Sequence, residues 1–257
     1  MVIRKSRTEL EKMHRANVLV SQVLQALKEM IRPGVSTAEM DSLAEEMIRR
    51  EGAAPAFKGY HGFPASLCVS INSEVVHGIP SPKRVLREGD IVSLDVGTIV
   101  DGFCGDGAVT VPVGEISGKA RELLDVTEKA LQQGIARVRD GNRVSDIGHA
   151  VQQYVEAHGF SVVRDFVGHG IGAQMHEEPQ VPNYGEPGRG HRLLPGMVLA
   201  IEPMVNAGTH TVKVLEDQWT VVTMDGSYSA HFEHSVAVTE NGPWILSQPQ
   251  PTGGNGA

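Results

Sequence analysis

An internal repeat constrains the fold of this chain more than any other feature of its sequence. Three short matches recur in the same chain order at offsets of 109, 108 and 107 residues. They pair Val35-Ser36 with Val144-Ser145, His61-Gly62 with His169-Gly170, and Gly89 and Asp95 with Gly196 and Glu202. Because the offset is nearly constant, we interpret the matches as traces of a duplicated unit of helices and antiparallel strands. Two such units that face each other bring Asp95 and Glu202 toward a shared axis.

The spacing of apolar and turn residues predicts an α+β protein with pseudo-two-fold symmetry, in which an antiparallel sheet is backed by two helix pairs. Helical periodicity and capping residues predict helices at about 7–31, 36–51, 118–139 and 145–158. Shorter apolar runs predict strands at 65–72, 91–96, 197–203, 211–215, 218–224 and 232–239. We expect one domain over residues 1–247, with halves at about 1–115 and 116–247, and a disordered tail at 248–257.

Composition and charge exclude several classes of protein. A formal net charge of −8 and an isoelectric point near 5.8 argue against a nucleic-acid-binding surface, which needs a basic footprint. The only cysteines are Cys68 and Cys104, so no disulfide framework is indicated and a reducing compartment is expected. The first residues lack the apolar core of a signal peptide, and no apolar run approaches the ~18 residues of a membrane span. We therefore expect a cytoplasmic protein that does not contact a membrane.

A glycine-rich stretch carries two histidines, His169 and His176. It reads Phe166-Val-Gly-His169-Gly-Ile-Gly-Ala-Gln-Met-His176. Histidines seven residues apart do not share one helical turn, so the stretch is predicted to be a strand or loop rather than the H-E-x-x-H helix of zinc peptidases. We expect its glycines to adopt backbone angles forbidden to other residues and to let a ligand or metal approach the main chain.

Four carboxylates accompany these histidines, each in or beside a short apolar run. Asp95 and Asp106 flank a hairpin turn predicted at Asp101-Gly102, and Glu202 and Glu233 lie near the later strands. A hairpin can place residues from its two strands side by side, so the two aspartates are expected to be neighbours. Like carboxylates repel and raise each other's pKa unless a cation lies between them. The sequence therefore predicts a metal site between the two halves.

Asp95, Asp106, His169, Glu202 and Glu233 form the predicted ligand set. Four carboxylates and one imidazole are too acidic a set for a single tetrahedral zinc ion, and they suit two divalent ions with bridging carboxylates. Two ions a few ångströms apart can share a water molecule and lower its pKa. The ligand set leaves the metal open among cobalt, manganese, iron and zinc.

The chain also resembles a known family. The stretch from Phe166 to His176, followed by Val181-Pro-Asn-Tyr184, is similar to the signature of type I methionine aminopeptidases, and the resemblance runs from about residue 7 to residue 246. It implies the pita-bread fold, and it implies that Asp95, Asp106 and Glu233 bind and bridge two metals while His169 and Glu202 complete the shell. It also implies that His77 and His176 contact the peptide at the scissile bond, that Glu202 shuttles a proton, and that Asn72 and Ser229 help to hold a monovalent cation, as in some members.

The resemblance places the substrate-binding residues at Phe57, Tyr60, Phe63, Cys68, His77, Met175, His176 and Trp219. Some members have cysteine, tyrosine and phenylalanine where Phe57, Phe63 and Met175 stand. These side chains are still large, apolar or polarizable, so a pocket for an unbranched thioether is expected. Gly97 and Gly107 replace a common threonine, and Cys104 replaces a common histidine, so contacts near the metals are expected to differ.

The resemblance implies an aminopeptidase that removes the initiator methionine from nascent proteins when the second residue is small. We expect a monomer that acts on N-terminal methionyl peptides and nascent chains, and the sequence leaves ribosome binding open. One alternative is a proline-directed peptidase of the same fold, prolidase or aminopeptidase P, which the short chain and the apolar pocket disfavour. The other is a non-catalytic binding protein of this fold, which should have lost metal ligands that this chain retains.

Overall fold

The computed structural model describes residues 2–248, so all but the first residue of the predicted tail lies outside the described part of the chain. Within residues 2–248 the α-helices are α1 (Arg7–Met30), α2 (Thr37–Arg50), α3 (Gly118–Ile135) and α4 (Val144–Ala157). The strands of the first half are β1 (Ala54–Pro55), β2 (Leu67–Ile71), β3 (Glu74–Val76), β4 (Ile91–Val100) and β5 (Phe103–Pro112). The later strands are β6 (Ser161–Val162), β7 (Gly168–Gly170), β8 (Glu177–Val181), β9 (Val198–Ile201), β10 (Met204–Asn206), β11 (Val212–Val214), β12 (Val221–Thr223), β13 (Ser229–His231), β14 (His234–Thr239) and β15 (Gly242–Ile245).

The first two helices begin at capping boxes, as the sequence predicts. The Ser6 hydroxyl accepts the Glu9 amide at 3.4 Å, and the Glu9 carboxylate accepts the Ser6 amide at 2.7 Å. Ser36 and Glu39 repeat this exchange at the start of α2. Such reciprocal bonds satisfy backbone donors that have no partner inside a helix. None of the described helices is both long and apolar enough to cross a membrane.

The described strands form four sheets, and their pairings are antiparallel. The two larger sheets have the orders β1-β4-β2, with β5 on β4, and β15-β14-β9-β7-β8. Helices α1 and α2 pack on the first of these sheets through buried residues such as Leu27 and Ile48, and α3 and α4 pack on the second through Leu131 and Ile147. The class is therefore α+β, with helix pairs that back antiparallel sheets, as predicted.

The two large sheets meet at β5 and the start of β14. The Glu233 amide donates to the Ala108 carbonyl oxygen at 2.9 Å, and the Ser235 hydroxyl donates to the Asp106 carbonyl oxygen at 3.0 Å. These bonds fix the strand that carries Asp106 against the strand that follows Glu233. The predicted site therefore lies where the two sheets join.

The structure agrees only in part with the internal repeat of the sequence. Each half has a helix pair followed by antiparallel strands, which supports the division that we propose. The pairing of His61 with His169 is wrong, because His61 lies in a short 3-10 turn with φ of 49° whereas His169 lies on β7. Ser93 and Ala200 are 107 residues apart and pair with Ser70 and His169 respectively, so Ser70 is the counterpart of His169 by register.

The β4–β5 hairpin differs in detail from the prediction. Its turn lies at Asp101-Gly102, where both residues have positive φ, as expected. The register pairs Asp95 with Ala108 and Asp106 with Gly97, so the two aspartates are diagonal neighbours rather than directly opposite. Because residues two apart on a strand point to the same face, both carboxylates still face the same side of the sheet.

Candidate metal centre and substrate cavity

The five predicted ligands lie on strands or directly beside strand ends. Asp95 and Asp106 lie within β4 and β5, and His169 lies within β7. Glu202 follows β9 and Glu233 precedes β14, and the β9–β14 register, continued by one pair, places these two glutamates opposite each other. The backbone ladders therefore determine where all five side chains stand.

Three of the five side chains form one tight group. Ligand atoms of Asp106, His169 and Glu233 all lie within 4.8 Å of one another. His169 Nε2 is 3.8 Å from Asp106 Oδ2 and 3.5 Å from Glu202 Oε1. Asp95 stands outside the tight group and lines the same cavity. The structure thus brings all five predicted residues to one place, with Asp95 and Glu202 at the side of the group.

These carboxylates are poorly solvated and repel one another. Asp106 and Glu233 are buried, while Asp95 and Glu202 are half-buried. Burial raises the pKa of Asp95 to about 7. Burial, and then the charges of neighbouring carboxylates, raise the pKa of Asp106, Glu202 and Glu233 well above the usual range. Among residues 2–248 no lysine or arginine forms an ion pair with the four groups, so they lack a compensating cation within the chain.

The donor atoms fit a divalent ion. Asp95 Oδ1 and Glu233 Oε1 are buried and have no hydrogen-bond partner within residues 2–248. His169 Nδ1 lies 2.9 Å from the Gly170 carbonyl oxygen, which can only accept, so Nδ1 carries the proton and Nε2 presents its lone pair to the carboxylates. Burial lowers the pKa of His169 to about 4, so the ring is neutral and able to bind a metal at neutral pH.

Two residues beside Glu202 were missed by the sequence analysis as functional candidates. The Asn183 amide donates to the Glu202 carbonyl oxygen at 3.0 Å, and His231 Nε2 lies 3.8 Å from Glu202 Oε2. His231 is only 2% exposed, and burial lowers its pKa to about 3. The position of His231, two residues before Glu233 at the end of a strand, was a signal that could have found it, because such residues share a face.

The glycines of the central stretch serve close packing rather than unusual backbone angles. Gly168, Gly170 and Gly172 are absent from the residues with positive φ, so the expectation about their conformation is wrong. A Cβ atom at Gly170 would overlap the Glu178 carbonyl oxygen, and one at Gly172 would lie 2.5 Å from Lys5 Cε. The close neighbours of these glycines are other parts of the protein.

A cavity of about 240 Å³ opens onto the acidic group. It is lined by Phe57, Tyr60, His61, Phe63, Cys68, His77, Asp95, Asp106, His169, His176, Glu202, Trp219 and Glu233. Seven of the eight predicted substrate-binding residues are in this lining. His61, which was not predicted, lies there as well. One end of the cavity is therefore aromatic and apolar, and the other is anionic.

Met175 is the predicted pocket residue outside this lining. It is buried, 4% exposed, and packs beside Gly97 behind Phe57. A Cβ atom at Gly97 would lie 2.7 Å from both Met175 Cε and Phe57 Cε1, and 3.0 Å from Ala56 Cβ. Because Gly97 has no side chain, it leaves space that the side chains of Phe57 and Met175 fill.

His77 and Trp219 lie side by side in the cavity lining. Their ring centroids are 6.3 Å apart in an edge-to-face arrangement, and Trp219 also packs edge-to-face on Phe63 at 5.1 Å. Desolvation and the neighbouring His176 lower the pKa of His77 to about 4, so this ring is neutral at neutral pH. Its polar atoms offer hydrogen bonds without adding charge.

Cys104 and Gly107, the other positions at which this chain differs from common family members, lie close to the site. Cys104 is buried with its Sγ atom 4.0 Å from the Ala173 carbonyl oxygen, and a Cβ atom at Gly107 would lie 3.1 Å from Val20 Cγ1. Asn72 and Ser229 are adjacent, because the Ser229 amide donates to the Asn72 carbonyl oxygen at 2.8 Å. The Asn72 side chain bonds to Asp90 and to the Ile91 amide.

Comparison with known proteins agrees with this geometry. The pattern of metallopeptidase family M24 matches residues 11–240. The chain is 55% identical over 247 residues to the methionine aminopeptidase of Clostridium acetobutylicum, a match that covers 96% of this chain and 99% of that protein. It is also similar to the crystal structure of methionine aminopeptidase from Thermotoga maritima, with a TM-score of 0.95 and 47% identity over 96% of this chain and 100% of that one.

A more distant structure shares the fold alone. The prolidase from Pyrococcus horikoshii matches with a TM-score of 0.78 at 23% identity, and the match covers 96% of this chain and 64% of the prolidase. The architecture is the pita-bread fold expected from the sequence, and its acidic centre defines the class as a metal-dependent peptidase. The chain belongs to metallopeptidase family M24 and, within it, to the methionine aminopeptidases. Use of a divalent metal follows from the family and from the group of Asp106, His169 and Glu233.

Proposed function

We propose that this enzyme removes N-terminal methionine from peptides and nascent chains whose second residue is small. The observation that carries the proposal is the cavity of about 240 Å³, which is aromatic and apolar at one end and acidic at the other. Phe57, Phe63 and Trp219 suit an unbranched thioether side chain, and the carboxylates suit metals next to the bond to be cleaved. We further propose that it acts in the cytoplasm as a monomer, and ribosome binding stays open.

We propose two divalent ions, with Asp95, Asp106 and Glu233 as shared ligands and His169 and Glu202 completing the set. The support is the excess of buried negative charge, which is more than one ion would neutralise. When bound, divalent ions supply Lewis acidity that polarises a carbonyl group and lowers the pKa of a nearby water molecule. Cobalt, manganese, iron and zinc all tolerate these ligands.

The side chains around the acidic group have separate roles in the proposal. Glu202 takes up a proton at its carboxylate and returns it to the leaving amine, a role that suits a carboxylate of the acidic group that lines the cavity. His176 donates a hydrogen bond to the oxyanion that develops on the scissile carbonyl. His77, which also lines the cavity, contacts the peptide. The monovalent cation at Asn72 and Ser229 stays a prediction.

Cleavage of short peptides tests the proposal and separates it from the alternatives. We expect efficient release of the first residue from Met-Ala-Ser and from its norleucine analogue, and poor cleavage of Lys-Ala-Ser, because the apolar pocket would bury an unpaired charge. Met-Lys starts should be much slower than Met-Ala starts. Cleavage of Ala-Pro peptides in preference to Met-Ala-Ser would instead indicate a proline-directed peptidase. No cleavage of either peptide by the metal-loaded protein would indicate a binding protein.

A further inference from the structure

Tyr60 makes a contact that a pocket residue does not need. Its hydroxyl oxygen lies 2.7 Å from His176 Nδ1, and the two rings stack with centroids 5.3 Å apart and an interplanar angle of 27°. The residues are 116 positions apart in the chain. Within residues 2–248 the His176 ring forms a hydrogen bond with no residue other than Tyr60.

A tightly constrained turn holds Tyr60 in this place. Gly59 and Gly62 have φ of 86° and 92°, in the left-handed region that favours glycine. The Tyr60 amide donates to the Phe57 carbonyl oxygen, and the Phe63 amide donates to the Tyr60 carbonyl oxygen, both at 2.9 Å. The backbone thus fixes Tyr60 on both sides, which directs its ring toward His176.

His176 is held from its own side as well. The next residue, Glu177, forms a buried ion pair with Lys5 at 2.6 Å, and the preceding residue, Met175, is buried. Both partners of the Tyr60–His176 bond are therefore fixed by contacts independent of each other. The bond itself lies in an exposed part of the site, so the backbone positions of the two residues, rather than burial, bring the two groups together.

The chemistry of the two groups determines the direction of the bond. A phenol is a stronger hydrogen-bond donor than a neutral imidazole N–H, and an imidazole nitrogen is a stronger acceptor than a phenol oxygen. The favoured arrangement has the hydroxyl donating to Nδ1.

We propose that Tyr60 is a positioning residue that sets the tautomer of His176. Its hydroxyl donates to Nδ1, which keeps the ring proton on Nε2 and leaves that N–H as the free donor of a side chain that lines the cavity. In the other tautomer Nε2 would present a lone pair to the developing oxyanion. This inference rests on the proposed function for its catalytic consequence, whereas the tautomer itself can be measured without any substrate.

Nuclear magnetic resonance of ¹⁵N-histidine-labelled, zinc-loaded protein tests the tautomer, since Zn²⁺ is diamagnetic. Long-range ¹H–¹⁵N correlations distinguish the two tautomers, and His176→Gln assigns the signals. We expect the Nε2–H tautomer in the native protein and a mixture with Nδ1–H in Tyr60→Phe, which keeps the ring and removes the hydroxyl. Tyr154→Phe, on α4, is the matched control and should leave the native tautomer unchanged. The Nδ1–H tautomer in the native protein, or an unchanged tautomer in Tyr60→Phe, would overturn the proposal.

Kinetics on Met-Ala-Ser complete the test. We expect Tyr60→Phe to lower kcat about 5- to 10-fold with KM within about 2-fold, the size of effect associated with one lost hydrogen bond. A raised KM with unchanged kcat would mean that Tyr60 is only a pocket residue, and the proposal would fail. If the native protein does not cleave the peptide, the proposed function fails, and the spectra still decide whether Tyr60 sets the tautomer.

Discussion

The acidic group at the floor of the cavity and the side chains at its rim are built in different ways. The floor consists of Asp95, Asp106, His169, Glu202 and Glu233, which lie on paired strands or directly at their ends. The rim consists of Phe57, Tyr60, His61 and His176, which lie in turns outside the strands. Antiparallel ladders fix the floor residue by residue, whereas positive φ angles and single hydrogen bonds fix the rim.

The electrostatics of the two regions differ in the same way. The floor contains carboxylates whose pKa values are raised because each is poorly solvated and close to the others. At the rim, Tyr60 and His176 are neutral at neutral pH. The floor is therefore incomplete without cations, and the rim offers hydrogen bonds and apolar surface to a substrate. The following experiments test this division between floor and rim.

Removal of metal should have the largest effect. Because the floor has no cation of its own within residues 2–248, we expect a chelator to abolish cleavage of Met-Ala-Ser and added Mn²⁺ or Co²⁺ to restore it. Activity should be measured with metal-free protein in chelator-treated buffer, and recovery should follow the concentration of added ion. Full activity in metal-free protein would contradict the role of the floor.

Substitution at the rim should lower the rate strongly without abolishing it. His176→Ala removes the hydrogen-bond donor that we propose for the reacting carbonyl, and loss of such a donor typically costs ~10²–10³-fold in kcat. Steady-state kinetics on Met-Ala-Ser measure this effect. His158→Ala, at the exposed end of α4, is the matched histidine control and should retain native kcat. A native kcat in His176→Ala would remove His176 from the mechanism.

A single methyl group behind the rim should narrow the pocket. The Cβ atom of Gly97→Ala would lie 2.7 Å from Phe57 and Met175, so both side chains must shift. Overpacking of this kind costs ~1–3 kcal/mol, and we expect kcat/KM for Met-Ala-Ser to fall about tenfold. Gly118→Ala is the control, because nothing lies within 4 Å of its added atom. Equal kcat/KM values in the two variants would mean that Gly97 does not shape the pocket.

The pH dependence of stability should reflect the carboxylates of the floor, with a contribution from the buried thiols of Cys68 and Cys104 above about pH 8, because burial also raises their pKa. Burial lowers the pKa of His77, His169 and His234 to about 4 and that of His231 to about 3, so these rings stay neutral in the folded protein above pH 7. An unfolded histidine, with a pKa of ~6.5, is mostly neutral above about pH 7.5. Burial keeps the pKa of Asp95 at about 7 and those of Asp106, Glu202 and Glu233 well above normal, so the folded metal-free protein retains protons that the unfolded chain has released. Its stability should therefore fall as the pH rises, by up to ~1.4 kcal/mol per pH unit for each retained proton.

Urea unfolding of metal-free and zinc-loaded protein between pH 7 and pH 9 measures this slope. Bound metal should flatten it, because the ion replaces the protons, and Asp106→Asn should reduce it in the metal-free protein. A metal-free protein with no loss of stability over this range would contradict the raised pKa values.

The sequence predicted the floor well because the floor depends on local patterns. The turn at Asp101-Gly102 and the apolar runs around Asp95 and Glu202 identify the strands, and strand alternation then determines which side chains face the cavity. The five predicted ligands were identified from these patterns, and the resemblance then matched their order along the chain. The diagonal offset of Asp95 from Asp106 was missed because it depends on the register, which turn residues alone do not reveal with that accuracy.

For the rim, the sequence predicted which residues line the cavity but not the contacts that they make. Seven of the residues predicted to bind substrate line the cavity, yet the bond between Tyr60 and His176 depends on a turn that brings together positions 116 residues apart. Met175 lies behind the lining because Gly97 leaves space for it, a fact of packing that a list of side chains does not contain. The match of His61 with His169 failed because two-residue identities do not report strand register.

Metal content of two variants tests most directly whether the floor binds the ions and the rim acts on the substrate. Native protein, His176→Ala and Glu202→Gln should be loaded with the same divalent ion, passed through a desalting column and analysed by mass spectrometry for metal per chain. The division between floor and rim predicts native metal content in His176→Ala and reduced content in Glu202→Gln, which removes a charge from the floor. Loss of metal from His176→Ala, with native content in Glu202→Gln, would contradict it.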